Sequence, residues 1–598
     1  MPNPSGPGPS GNGSVFHLPN SSFLTKLVAL LGAVSCMSIF SLILTHGRLE
    51  KIHVDLHLSR LDAGGLAKIG RKIEEGILSS AVVHGVQNFV TDGAAPGGGG
   101  SWNVRGHPVR KANTNNRPVA RGVSGLPLEK TPAVLGARRG HIECEIDVDS
   151  LAYWNSPRGV RDAEFVSPYR IPEGETRYIT FEPDSGGWNN IRMSMEIIFV
   201  LAAATGRTLV LPPAQPLYLL HHDSKNRGRG FADFYHLDDP DFKKIVKTIS
   251  TEDFLRLEGG KDGRLPVSKE NAPFLENMEF CEKRKNSSHS CFKLYSHLRE
   301  VGVVPEWKAS EICVIFDQGE MTDEKKKRIS KFCEKKRKPV YYDETLQNAV
   351  SVHFSASIKE YRLLNHFYSY ILFTDPVQDN FYKRFVRDFL HYKDSIFCAA
   401  GKIINALQEE GKKLGFSVDK EGGGGFSSLH VRRGDLQYKA VKISGEEWLE
   451  NTKDLWLEKE VLYIATDEKK KEFFDPIKEK FQVKFLDDYW DLAGLSNIDP
   501  NYMGMIDTIV ASQGRMFAGT YFSTFTGFIN RMRGYYGFPG TASWYGMKGY
   551  KAVLQKWVYP HSAYYPREFP IGWVGIDGDT LVTDYPEHAE STVKSDDW

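Results

Sequence analysis

"RYITFEPDSGGWNNIRMSMEIIFVLAAATGRTLVLPP", residues 177–213, decides the fold class. A short apolar run gives way to a Gly-Gly turn, then to a long segment with helical apolar spacing, then to a second apolar run that stops at Pro-Pro. Strand, turn, helix and strand in that order make a parallel α/β unit, because parallel strands need a crossover that carries the chain back to the same end of the sheet. A second series lies downstream: "FSSLHVRR" (426–433), "EVLYIATDE" (460–468), "FQVKFLDD" (481–488) and "RMFAG" (515–519) are strand-like, with helical stretches between several of them. Two such series predict two α/β halves with a cleft between them.

The chain of 598 residues exceeds what one compact core serves. Residues 1–26 are rich in Pro, Gly and Ser and are expected to be a disordered tail. "LVALLGAVSCMSIFSLIL", Leu27–Leu44, carries no charge and is long enough to cross a hydrocarbon layer, so 27–45 is expected to be a transmembrane anchor. A cleaved signal peptide is the alternative; the long leader and the lack of a small-x-small cleavage pattern count against it. Residues 46–140 follow as a stem, helical at first and then flexible, leading to expected domains at 141–395 and 396–598. Basic residues on the two sides of the span, Lys26 before and Arg48, Lys51 and Arg60 after, do not settle its orientation. Outside the span, where Cys36 lies, six cysteines remain (Cys144, Cys281, Cys291, Cys313, Cys333 and Cys398), an even set suited to an oxidising lumen with its pairing open. The expectation is a single-pass type II protein of the Golgi or endoplasmic reticulum membrane, its body lumenal, with Asn286 in "NSS" as a glycan acceptor. Lys and Arg number 76 against 75 Asp and Glu, so there is no global basic excess to bind a nucleic acid, and any anion site must be local.

Four stretches carry chemistry. In "SSLHVRRGD" (427–435), Leu429 and Val431 alternate with His430 and Arg432, so a strand would set the latter pair on one face at its carboxyl end; Arg433 continues past it, and Asp435 is placed to fix an arginine. "VLYIATDE" (461–468) runs straight into Asp467 and Glu468, where a carboxylate could cap a helix or hydrogen-bond a ribose or purine. In "IDTIVASQGRMFAGTYFSTFTGFINRMRG" (506–534), Ser523 and Thr524 open a helix whose Phe525, Phe528, Ile529 and Met532 follow helical spacing; free amides there suit a diphosphate, and a plain N-cap suits Ser523 equally. In "GGWNNIR" (186–192), Asn189 and Arg192 share a helical stripe with Glu196.

Together these stretches resemble the GDP-fucose protein O-fucosyltransferase family and the wider fucosyltransferase superfamily that includes α1,6-fucosyltransferases, over roughly residues 177–535. "HVRRGD" is similar to its His-x-Arg motif, whose arginine engages the donor β-phosphate, a role that falls on Arg432. "YIATDE" resembles the second motif, with Asp467; "IDTIVASQGRMFAGTYFSTF" resembles the third, with Asp507 and then Ser523, Thr524 and Phe525. "GGWNNIRM" resembles the amino-terminal Gly-Gly-x-Asn-x-x-Arg, with Gly187, Asn189, Asn190 and Arg192. The resemblance implies a GT-B-type fold of two Rossmann-like domains, GDP-fucose as donor, a protein or glycan hydroxyl as acceptor, and no metal or other cofactor. Donor contacts are implied for His430, Arg433 and Asp435 beside Arg432.

One class of the family sets a catalytic glutamate in the glycine turn; here that turn is Ser185, Gly186, Gly187. Asp184 and Glu196 are the nearby candidates for a base, Glu196 preferred, and deprotonation by the leaving phosphate is the alternative. Rival readings are the same fold with another nucleotide sugar, a GDP-sugar-binding protein without turnover, and a metal-dependent transferase using "DVD" at 147–149.

Overall fold

The computed structural model describes residues 140–578, apart from Ser185, Val574, 269–286, 335–336, 356–362, 419–423, 435–440, 556–567 and most of 156–164 and 216–227. The apolar run Leu27–Leu44, the stem, Cys281, the Asn286 sequon and Asp435 lie outside the described residues. Among the described residues no helix is long and apolar enough to cross a membrane.

The strands in chain order are β1 (Tyr178–Phe181), β2 (Thr208–Leu211), β3 (Thr248–Ser250), β4 (Ile312–Phe316), β5 (Lys338–Tyr341), β6 (Ser351–Phe354) and β7 (Ile371–Phe373). The carboxyl half adds β8 (Ser427–Val431), β9 (Val461–Thr466), β10 (Gln482–Lys484), β11 (Phe517–Gly519) and β12 (Ser543–Tyr545). They form three sheets, ordered β3-β2-β1-β6, β5-β4-β7 and β10-β9-β8-β11-β12, and every pairing between these strands is parallel. The α/β class expected from residues 177–213 is thus present. The strands of the amino half divide between two sheets: Val303 bridges to Val352 at the outer edge of β6, and β4 starts a separate sheet with β5 and β7.

Helix α1 (Trp188–Thr205) is the crossover between β1 and β2; nearly all of it is buried, and it stops at Gly206, whose φ of 68° is left-handed. A Cβ at Gly206 would also meet the Arg170 side chain at 2.6 Å. Helix α2 (Pro376–Phe389) begins with Asp375 accepting from the Val377 amide and Pro at its first position. Helix α3 (Asp394–Lys413) leads into β8, and α4 (Met503–Ser512) and α5 (Thr524–Tyr535) flank β11. One apolar core runs through both halves and includes Phe199 of α1, Phe385 of α2, Ile403 of α3, Ile509 of α4 and Phe528 of α5. Disulfides join Cys144 to Cys398 and Cys313 to Cys333, and Cys291 is disulfide-bonded as well.

The tail, for which the sequence offered no role, returns to the amino half. The turn Pro570–Trp573 lies against α5, the Trp573 ring meets Tyr368 and Tyr535 at 5.0 and 5.1 Å, and Asp577 pairs with Arg387 of α2 at 2.8 Å.

Candidate active site

In the third sheet the chain runs β8, β9, β10 to one side, then crosses back to lay β11 and β12 on the other. Loops leaving β8 and its neighbours therefore diverge at the carboxyl edge, and such a switch point opens a crevice. A cleft of 1040 Å³ lies there, lined by Arg432, Asp467, Asp507, Ser523 and Thr524 from the carboxyl half and by Gly187, Trp188, Asn189 and Asn190 from the start of α1.

The exit from β8 is tied down from both sides. Its neighbour β11 places Gly519 opposite His430; the Thr520 amide donates to the His430 carbonyl at 2.9 Å, and the Thr520 hydroxyl accepts from the Arg432 amide at 2.9 Å. From β9, Asp467 accepts from the Arg432 guanidinium at 2.5 Å and from the amides of Arg433 and Gly434 at 2.7 and 2.8 Å. A Cβ on Gly434 would lie 2.4 Å from that carboxylate, so glycine is what lets Asp467 reach the turn. Asp467 thus clamps Arg432 and the turn that follows it. Arg432 is pinned at one nitrogen while its side chain stays 30% exposed at the cleft.

His430 is buried beneath the cleft, its ring stacked on Phe525 at 4.4 Å and bonded to the Thr526 hydroxyl at 2.7 Å. Burial, then the nearby Arg432 charge, push its pKa down to about 3, so the imidazole is neutral at physiological pH. Ser523 precedes α5 at the capping position but its side chain makes no cap bond, so the N-cap explanation fails and the hydroxyl is left at the cleft wall. Phe522, just before it, holds a left-handed φ of 59° and also lines the cleft, a strained backbone at the place where ligand would meet it.

Asp507 of α4, also on the cleft, accepts from the Tyr463 hydroxyl at 2.5 Å. Burial raises its pKa to about 7 against the opposing pull of that hydrogen bond and of the Lys471 charge. A carboxylate poised near neutrality on a ligand-sized cleft is a mark of a functional group.

The expectations for Arg433, Arg192 and Glu196 are corrected. Arg433 turns away from the cleft: it pairs with Glu468 at 2.9 Å, donates to the Ile443 carbonyl and lies 4.0 Å over the Phe473 ring. Among the described residues Arg432 and Arg433 are clamped by Asp467 and Glu468, while Asp435, the expected clamp, lies outside the described residues. Glu196 and Arg192 do not line the cleft. Glu196 is buried between Arg192, one helical turn away, and Arg531 of α5, which donates to both of its oxygens at 2.8 Å. Arg531 also bonds Glu568 of the tail, which Tyr368 and His366 meet at 2.9 and 3.4 Å. A carboxylate held by two guanidiniums has no lone pair facing an acceptor, so Glu196 serves the packing of α1 on α5. Asn189 spans both settings, lining the cleft while its Oδ1 accepts from Arg192 at 3.2 Å. Asp184 is buried as well, its carboxylate accepting from the Gly186 amide at 2.6 Å. The "DVD" carboxylates shape a local turn: Asp147 accepts from the Asp149 amide, and Asp149 accepts from the Ile142 amide and meets His141.

Sequence reasoning missed Trp188, which faces the cleft and bonds the Tyr392 hydroxyl at 3.1 Å, and Lys471, hidden in a run of three lysines. Spacing alone marks neither; only the fold turns them inward.

Comparison with known proteins adds three observations. A crystal structure of POFUT1 in its apo form aligns with 62% of this chain and 97% of its own at 13% identity and a TM-score of 0.27. The NodZ α-1,6-fucosyltransferase soaked with GDP-fucose aligns with 60% of this chain and 93% of its own at 13% identity and a TM-score of 0.29, and NodZ from Bradyrhizobium at 12% and 0.29. No curated protein matches the sequence. The model of the family described as GDP-fucose protein O-fucosyltransferase matches residues 178–536, from β1 to the end of α5, more than half of the chain and all of the strand ends that build the cleft. The chain belongs to the GDP-fucose protein O-fucosyltransferase family.

Proposed function

We propose that this protein transfers fucose from GDP-fucose to a hydroxyl of a protein or glycan, in a GT-B-type arrangement whose carboxyl half holds the donor and whose amino half presents the acceptor. The observation that carries the reading is the convergence of one clamped guanidinium, Arg432, with the amide-rich start of α5 at Ser523 and Thr524, on one cleft that also holds Asp507. Breaking the anomeric C–O bond leaves negative charge on the β-phosphate and positive character on the sugar. Fixed donors aimed at that phosphate stabilise the transition state more than the ground state, and they cost no reorganisation because Asp467 and Thr520 have already set them. Asp507 is suited to the N–H edge of guanine, His430 and Phe525 form a neutral apolar floor, and Trp188, Asn189 and Asn190 face the acceptor. With Glu196 engaged in ion pairs, the acceptor proton passes to the departing phosphate. The body works behind a membrane anchor at residues 27–45, in the lumen of the Golgi or endoplasmic reticulum.

Calorimetric titration of the full chain with GDP, GDP-fucose, GDP-mannose and UDP-sugars tests this reading. GDP-fucose is expected to bind best, with Arg432→Ala removing most of the affinity; preference for a uridine nucleotide would overturn it.

A further inference from the structure

Besides Asp507, the cleft is lined by Ile464, Phe485, Leu486 and Met505, apolar side chains that offer a slot suited to a flat heterocycle. On its rim stands Lys471, the first residue of a short turn after β9. Its ammonium lies 4.1 Å from the centre of the Phe485 ring, a cation–π contact that fixes it at the mouth of the slot. Asp487 is its nearest anion at 3.6 Å, beyond good hydrogen-bond range, and among the described residues its three N–H groups have no closer acceptor. The Lys471 charge is also felt at Asp507, whose carboxyl it pulls down against burial. One slot therefore carries a group that only donates and, in its ionised form, a group that only accepts.

Guanine presents oxygen O6 and nitrogen N7 as acceptors and its N1–H and N2–H groups as donors; adenine places an amino donor where guanine has O6. We propose that Lys471 sets the base preference of the donor site, giving a hydrogen bond to O6 of a 6-oxopurine while Asp507 takes the N–H edge. This rests on the nucleotide-donor reading above. An adenine base would aim its amino group at the ammonium, leaving a donor against a donor, and the site rejects it for that reason.

The test is calorimetric binding of GDP, IDP and ADP to the full chain and to Lys471→Met, which keeps the stem over Phe485. Loss of the ammonium is expected to weaken GDP and IDP about 5- to 10-fold each, since both carry O6, and to leave ADP unchanged; Lys471→Arg, which keeps donors, is expected to retain the preference. Equal losses for GDP and ADP would assign Lys471 to the phosphates, and no loss would remove it from the site. Either result overturns the inference while a wild-type preference for GDP leaves the donor reading standing. Wild-type binding of ADP as tight as GDP would overturn both.

Discussion

Affinity for GDP-fucose should depend on pH through one group, and the sign follows from the cleft. Asp507 titrates at about 7, chiefly through burial, and its ionised form is the one that accepts from the guanine N–H edge. Binding therefore favours loss of the proton, and affinity should climb as pH rises through about 7 and level off above it. At pH 5.5 only about 3% of sites carry the carboxylate, so affinity should fall about 30-fold from its alkaline plateau, roughly 2 kcal/mol. Two neighbours are silent in this window: His430 at about 3 is neutral throughout, and burial beside Asp507 holds the Tyr463 hydroxyl well above its ordinary range. GDP-fucose is the ligand to use, because its diphosphate is a diester and lacks the phosphate proton that titrates near 6 in monoesters. Calorimetry from pH 5.5 to 8.5 in two buffers of different ionisation enthalpy would give the slope and count the proton released. A flat profile, or an unchanged slope in Asp507→Asn, would refute the assignment of Asp507 to the base.

The same group yields a second expectation with the opposite cost. A carboxyl whose folded pKa is raised from 3.8 to about 7 keeps a proton that the unfolded chain has lost, so stability declines as pH rises across that window. Asp507→Asn should then raise stability at pH 8 by about 2 kcal/mol after discounting for partial exposure, read by thermal or urea unfolding, while weakening donor binding. Arg432→Ala should lower kcat/KM by about 100- to 1,000-fold with an unchanged melting temperature, and Arg432→Lys should recover only part because a single ammonium cannot meet both Asp467 and phosphate in the same geometry. Glu568→Gln should destabilise the fold by about 3 kcal/mol, since it leaves Arg531 short of a charge in a buried network, with donor affinity of the folded fraction unaltered. Excess chelator should leave transfer from GDP-fucose intact; loss restored by a divalent cation would count against charge neutralisation by Arg432 and α5.

What the sequence made legible is what strand geometry dictates. Alternation in "SSLHV" and the apolar run before Asp467 place His430, Arg432 and Asp467 at carboxyl ends, and a helix start after "RMFAG" places Ser523 beside them, so this wall of the cleft follows from local pattern. The roles within it were less legible, because they depend on partners far along the chain. The two arginines of "HVRRGD" pair 35 residues ahead, with Asp467 and Glu468 across the sheet, and no local pattern signals that reach. Likewise a polar stripe on α1 reads as a cleft face, yet it meets Arg531, 335 residues away. Its signal was present in "INRMRG", where two arginines interrupt an apolar helix. Arg531 answers Glu196 and Glu568, and Arg533 donates to the carbonyls of Ser512, Gly514 and Ala542.

These placements explain how one helix can serve both binding and assembly. The first turn of α5 offers Ser523 and Thr524 to the cleft, while two turns on Arg531 joins α1 through Glu196 and the tail through Glu568. α1 is built the same way: Trp188 and Asn189 at its start face the cleft, and Arg192 and Glu196 further along meet α5, with the Arg192 guanidinium 3.7 Å over the Phe528 ring. The buried ion network therefore fixes the angle between the two helix starts, and so the spacing between the two walls of the cleft that they line. Paired charges, unlike apolar contacts, lose heavily if they slide, which is a physical reason for placing a costly network at this point rather than more leucine. The tail closes the clasp by bringing Glu568 to Arg531 and Trp573 to Tyr535, so a segment beyond the family's matched region holds the geometry on which the shared cleft depends.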